Sequence, residues 1–333
     1  MRKKILTMML VVTSIYLFSH ERHSPLIHSS SQQFSQVKGS IKVSSVKKII
    51  SGNYLSPQFT ADGKKIVFTG ENFKGLWVAN VDGSGIQKIS DEFLAGWKPV
   101  STKYNEIIFR TGEFTDKGEI KYSIKKYDLS TKKVVQLYTS KNEDIYPPKV
   151  SKFQDNIVFV KNKKLSSIKL RDVKGAPPLK QQVERITFSD GGKVWYLTPA
   201  IDKPVEISKG RKTCGGDELS PDGKKVAYLH GDTNSIIIYD FETGKEIDVG
   251  EGSTVAWSPD SEWIAYSVSC DDGHYIIHSD IFIVRADGSG RQRLTFTEDI
   301  AEVNPSWSPD GKSIVCEDAL GSGIYLISLE INQ

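Results

Sequence analysis

Apolar residues recur along this chain in short, mostly β-branched runs separated by polar turns, and the runs themselves follow a long period. Ile66-Val67-Phe68, Ile107-Ile108-Phe109, Ile157-Val158-Phe159, Ile186-Thr187-Phe188, Val226-Ala227-Tyr228, Ile264-Ala265-Tyr266 and Ile314-Val315-Cys316 each read as a buried strand. Their first residues are separated by 41, 50, 29, 40, 38 and 50 positions, a mean of about 41. That is the period of a four-stranded propeller blade. Around several of the runs the same grammar repeats: an extended segment, a turn, then the run. It stands at Asn304 to Val315, at Leu219 to Val226, at Trp257 to Ile264 and, more loosely, at Phe59 to Ile66. Pro presets φ for the turn, and Asp and Gly supply the side-chain cap and the positive φ that the turn needs.

The pattern predicts an all-β chain: a single β-propeller of four-stranded blades, seven by the count of runs and six if residues 157 to 226 form one irregular blade. The short interval of 29 residues between Ile157 and Ile186 implies that a unit there has lost a strand or that two units share one blade. The ends predict how the ring closes. After Ile314 only one clear strand remains, Gly323 to Leu329, whereas Val46 to Ile50 is a strand without a unit of its own. Placing the latter as the outer strand of the last blade pairs both edges and joins the termini. Two identical turns, Asp82-Gly83-Ser84-Gly85 and Asp287-Gly288-Ser289-Gly290, connect a third to a fourth strand about two hundred residues apart.

These residues resemble the TolB-like propeller repeats, whose units carry a Trp-Ser-Pro-Asp-Gly-Lys-x-Ile core, an Ile-Tyr strand running into Asp-Gly, and a closing Leu-Thr. The resemblance rests on Trp307 to Ile314, Leu219 to Val226, Trp257 to Ile264, Ile281 to Gly290 and Leu294-Thr295, and covers roughly residues 44 to 333. It implies a propeller, commonly of six blades, in exported proteins. It implies little about function, since similar repeats occur in periplasmic TolB and in the propeller domains of prolyl-oligopeptidase-like peptidases. No extra α/β domain ahead of the repeats and no hydrolase domain behind them is seen in the sequence.

Charge adds an address. Arg2-Lys3-Lys4 followed by the fourteen-residue apolar run Ile5 to Phe18 reads as a secretory leader, too short for a transmembrane helix of about 20 residues. The cleavage signal is poor, so an uncleaved N-terminal anchor is the other reading. We therefore expect residues 1–19 to be a leader or anchor, 20–43 a polar linker, and 44–333 the propeller, exported and monomeric. Without those three basic residues the formal charge of +3 falls to zero, which offers nothing to nucleic acid. Residues 117 to 174 nonetheless hold fifteen Lys and Arg against six Asp and Glu. Lys125, Lys126, Lys163, Lys164 and Lys169 are the candidate basic patch for an anionic cell-wall polymer.

The chain contains no Gly-x-Ser-x-Gly nucleophile elbow and no Cys-x-x-Cys or His-Glu-x-x-His pairing for zinc, so no catalytic residue, metal site or cofactor is expected. Asp62, Asp222, Asp260 and Asp310 sit where an Asp caps its own turn. Trp257, Pro259, Asp260, Trp307, Pro309, Asp310 and Gly311 are thus repeat anchors, and Trp97 and Trp263 join the core. Two long connections are the candidate binding loops: Asp271, Asp272, His274 and His278 in one, Lys117 and Glu119 in the other. Cys214, Cys270 and Cys316 are an odd set; Cys316 falls on the core position that Tyr266 fills in the preceding unit. The leading expectation is an exported, non-catalytic scaffold that binds a protein partner at the envelope. The alternative is a propeller that binds or processes a polysaccharide.

Overall fold

The computed structural model describes residues 40–332 apart from 141, 142, 184 and 202. The expected leader and most of the expected linker lie outside the described residues. What is described forms seven antiparallel sheets, arranged as a seven-bladed propeller. The first blade comprises Leu55–Phe59, Lys65–Thr69, Leu76–Asn80 and Gln87–Ser90, from the axis outward. The second comprises Val100–Thr102, Glu106–Phe114, Ile120–Asp128 and Lys133–Thr139. The fifth has Cys214–Leu219, Lys225–His230, Ser235–Asp240 and Glu246–Glu251, and the sixth Ser253–Trp257, Trp263–Asp271, Ile276–Arg285 and Gln292–Arg293.

Two blades have three strands, where the short interval predicts one lost strand or a shared blade. The third has Lys149–Val150, Asn156–Lys161 and Lys164–Lys169, and the fourth has Ile186–Asp190, Lys193–Leu197 and Val205–Glu206. Aligned on the apolar runs, which are second strands, the third blade lacks its outermost strand and the fourth its innermost. A short helix, Leu179–Gln182, precedes the fourth blade in place of that inner strand. The interval of 29 residues is the sum of both losses, and the two units remain separate sheets.

The seventh blade closes the ring as expected. Glu302–Trp307, Ser313–Asp318 and Gly323–Asn332 are completed by Ser40–Ser51, paired antiparallel from Ser40 opposite Asn332 to Ser51 opposite Gly323. This closing strand begins at residue 40, before the expected start of the propeller at 44, because Ile41 is itself buried against Leu329 and Trp307. At its other end Ile50 packs with Ile66, Phe68 and Val315, joining the last blade to the first.

The core lies between blades, and the repeat residues place it there. Trp263 and Trp307 are buried between the sixth and seventh blades, and Trp257 donates its indole N–H to the Glu218 carbonyl of the fifth, 2.9 Å away. Each turn aspartate accepts a hydroxyl two residues before it and an amide two residues after: Ser308 Oγ at 2.6 Å and the Lys312 amide at 3.1 Å for Asp310. Those two donors, the hydroxyl foremost, hold the Asp310 carboxyl below its usual range. Asp62, Asp222 and Asp260 are bonded in the same way. The twin Gly turns are required by close approach as well as by φ. A Cβ on Gly83, at φ +87°, would stand 1.8 Å from the Ile49 carbonyl oxygen of the closing strand, and one on Gly288 would stand 2.6 Å from Ile247 Cγ2. Each turn thus seats against the outer strand of the preceding blade.

Candidate functional site

Antiparallel meanders sort the connections onto two faces. The turns between first and second strands, with those between third and fourth, lie on one face; the hairpins between second and third strands, with the crossings to the next blade, lie on the other. We call the second the loop face.

The axis is filled by polar ties. The residue three positions after each apolar anchor is Thr69, Arg110, Val160, Ser189, Leu229, Ser267 or Glu317. Five of these seven are polar inside otherwise apolar strands, and several reach the next blade. Glu317 accepts the Ser56 amide of the first blade, Arg110 donates to the Ile145 carbonyl, and Ser189 donates to Asp217. Lys98 goes further and crosses the axis from the second blade to the fifth. Its ammonium lies 2.9 Å from the Asp217 carbonyl and 2.6 Å from Glu218 Oε1. Ser56, Gly216, Thr254 and Asn304 occupy equivalent inner-strand positions with positive φ, at bulges that turn those strands. Lys98, also at positive φ, stands just ahead of the inner strand of its blade. Towards the opposite face the axis opens into an apolar cavity of about 550 Å³, lined by Phe59, Val67, Pro99, Val100, Val150 and Pro259 among others.

The richest chemistry lies off the axis, on the loop face between the sixth and seventh blades. His278 and Asp280 stand two residues apart on the third strand of the sixth blade, so both side chains face the same side. His278 Nε2 is 2.8 Å from Asp280 Oδ2, and Arg293, from the fourth strand, places Nη2 2.7 Å from the same oxygen. Across the blade boundary, Glu302 begins the inner strand of the seventh blade. Ser279 Oγ donates to its carbonyl at 2.8 Å, and Thr297 Oγ1 donates to its carboxyl. Asp280 is 4% exposed and Glu302 fully buried. Asp280 Oδ1 and Glu302 Oε2 have no hydrogen-bond partner among the described residues. Burial, with Asp280 adding repulsion, pushes the Glu302 carboxyl up to about 7.

The same connections carry exposed apolar side chains: Tyr275, 77% exposed, and Ile277 in the sixth-blade hairpin, and Phe296, 70% exposed, in the crossing to the seventh blade, with Arg293 lying 4.6 Å over the Phe296 ring. Leu320, in the loop-face hairpin of the seventh blade, is exposed too.

Of the loop residues singled out from the sequence, His278 belongs to this cluster. His274 is exposed at the hairpin tip, where Asp271 and Asp272 accept the Gly273, His274 and Tyr275 amides and so shape the turn. Lys117 and Glu119 lie on the second blade, away from these. No group of three or more His, Cys, Asp or Glu among the described residues could hold a metal ion. The basic patch does not form. Lys125 and Lys126 point to opposite sides of their strand and are paired with Glu92 at 2.6 Å and Glu106 at 2.8 Å. Lys163 is paired with Asp190 at 2.7 Å, and Lys169 with Asp172. Lys164 is exposed at one end of its strand and Lys169 at the other, about 17 Å apart. Asp280, Arg293 and Glu302 escape sequence reasoning; the available signal was a pair of acids at the edges of apolar strands, where burial is dictated by position. All three cysteines are free, with Cys214 and Cys316 buried and Cys270 exposed.

No family model matches the chain. In sequence it is 30% identical over 120 residues to the uncharacterized peptidase YuxL of Bacillus subtilis (strain 168), a stretch that is 32% of this chain and only 17% of that protein. Among solved structures it is similar to the oligogalacturonate lyase of Vibrio parahaemolyticus, with 14% identity over 88% of this chain and 98% of that one, at a TM-score of 0.56. The chain is a seven-bladed β-propeller. The propeller is also similar to TolB of Acinetobacter baumannii, 16% identical over 86% of this chain and 67% of that one, at a TM-score of 0.45. The expectation of a chain with no enzymatic role does not stand: the propeller's relative in sequence is named a peptidase, and a lyase shares its fold. The absence of a nucleophile elbow and of zinc-spaced pairs excludes those two chemistries alone, since one fold hosts many functions. No helix among the described residues is long and apolar enough to cross a membrane.

Proposed function

We propose that this propeller is exported and binds a protein partner through the loop face of its sixth and seventh blades. The observation that carries the reading is the exposed Tyr275 and Ile277 of the sixth-blade hairpin and Phe296 of the crossing to the seventh, close in the chain to a buried charge cluster whose Arg293 lies on the Phe296 ring. Aromatic anchors beside desolvated polar groups are what protein-binding hot spots are made of. Export is supported by the basic and apolar leader pattern of residues 2 to 18. The polysaccharide reading loses support, because the lysines that prompted it are paired or spread over separate faces.

The test is partner retention by the full chain carrying Tyr275→Ser with Phe296→Ser, against a control with Val134→Ser and Val135→Ser. The control residues are also exposed but lie on the outer strand of the second blade. Loss of the partner in the first variant alone supports the reading. Equal retention in both overturns it.

A further inference from the structure

Resting on that reading, we infer that the loop face of the sixth and seventh blades selects a cationic segment of its partner, holding a lysine or arginine side chain at the surface above Asp280 and Glu302, beside apolar neighbours.

Charge argues for it first. The stretches 271–280 and 293–302, which build this face, carry six Asp and Glu against a single Arg and no Lys. Asp271, Asp272, Glu298 and Asp299 are exposed at its surface. Beneath them, Asp280 spends one carboxylate oxygen on its resident donors His278 and Arg293, while the other is unpartnered. Glu302 likewise spends one oxygen on Thr297 and leaves the second. Two buried carboxyls with an unpartnered oxygen each leave negative charge only partly offset beneath this surface, and a guanidinium or ammonium docked above them compensates it. The exposed Tyr275 and Phe296 supply faces on which the stem or the cation of such a side chain can lie, as Arg293 already lies on Phe296.

The same geometry gives the interaction a pH dependence. A cation beside Glu302 favours its ionised form, so binding expels a proton and strengthens as pH rises through about 7. The titratable groups around Glu302 are His278 and Asp280 from the sixth blade, the latter paired with Arg293, and Cys316 and Asp318 from the neighbouring strand of its own blade. From pH 6 to pH 8 the affinity should rise about tenfold.

The experiment pans a random dodecamer phage library on the full chain and measures the enriched peptides by fluorescence anisotropy. We expect peptides with Lys or Arg beside apolar residues, weakened at least tenfold by Asp280→Asn, severalfold by Glu298→Gln with Asp299→Asn, and made pH-insensitive around pH 7 by Glu302→Gln. The Glu298 and Asp299 pair is exposed, so its replacement probes charge without disturbing the core. Peptides that lack basic residues and ignore the Asp280 and Glu298/Asp299 variants, yet are lost with Tyr275→Ser and Phe296→Ser, would overturn the cationic selectivity and leave the protein-binding face standing. Peptides indifferent to all of these variants would overturn both.

Discussion

Replacing Glu302 by Gln should stabilise the protein, and only above mildly acidic pH. Glu302 is fully buried at the start of the innermost strand of the seventh blade, opposite Asp318 on the next strand. Burial raises its carboxyl from 4.5 to about 7. Below pH 4.5 the group is protonated in both the folded and unfolded chains, and the stability it contributes as a neutral acid is complete. Between 4.5 and about 7 the unfolded chain ionises while the folded one keeps its proton, so that contribution is lost as pH rises. At about 1.4 kcal/mol per pH unit, the loss by pH 7 and above is on the order of 3 kcal/mol. Gln has nearly the shape of the protonated acid, still accepts from Thr297, and cannot ionise. Its stability relative to the parent, measured by urea unfolding followed through tryptophan fluorescence, should therefore be near zero at pH 4.5 and climb to about 3 kcal/mol by pH 8. A difference that stays constant from pH 4.5 to 8 would refute the reasoning, because it would mean that the carboxyl titrates alike in both states.

Other consequences concern the ring itself. Ile50→Ala, at the seam of the last and first blades, should cost about 2 to 5 kcal/mol in urea titrations, and deletion of residues 40–51 considerably more, because it bares the edge of Gly323–Asn332 and opens the closure. Gly83→Ala meets both a positive φ and the Ile49 carbonyl and should cost about 2 to 5 kcal/mol, whereas Gly244→Ala, at φ +67° in open space, should cost about 1 kcal/mol. Lys98→Met leaves Glu218 unpaired at the axis and should lower the melting temperature; adding Glu218→Gln should recover most of the loss.

Much of the architecture is legible in the residues because a propeller is a local structure repeated. Ile66, Ile107 and their successors mark second strands, and the turn chemistry of Ser308-Pro309-Asp310-Gly311 follows from side chains two residues apart. Ring closure was legible too, since a last blade without an outer strand and a first strand without a blade complete one another. The two three-stranded blades were harder: a short interval shows that residues are missing but not which strand, and here the outer strand of one blade and the inner strand of the next are both gone. The site was least legible. His278 announces itself in a long hairpin, but Asp280, Arg293 and Glu302 come from three strands and two blades, and only the fold brings them together. The same strand alternation undid the lysine patch, since neighbours in sequence such as Lys125 and Lys126 are assigned to opposite sides of a sheet.

The central claim is that partners meet this propeller on the loop face of its last two blades. Site-specific photo-crosslinking in living cells tests it most directly, with a photoreactive phenylalanine placed in turn at Tyr275, Phe296, Val134 and Ile86, all of which are exposed. The account predicts one discrete protein adduct from Tyr275 and Phe296 and none from Val134 or Ile86, which lie on the rim and the opposite face. Adducts confined to Val134 or Ile86, or equal at all four positions, would contradict it.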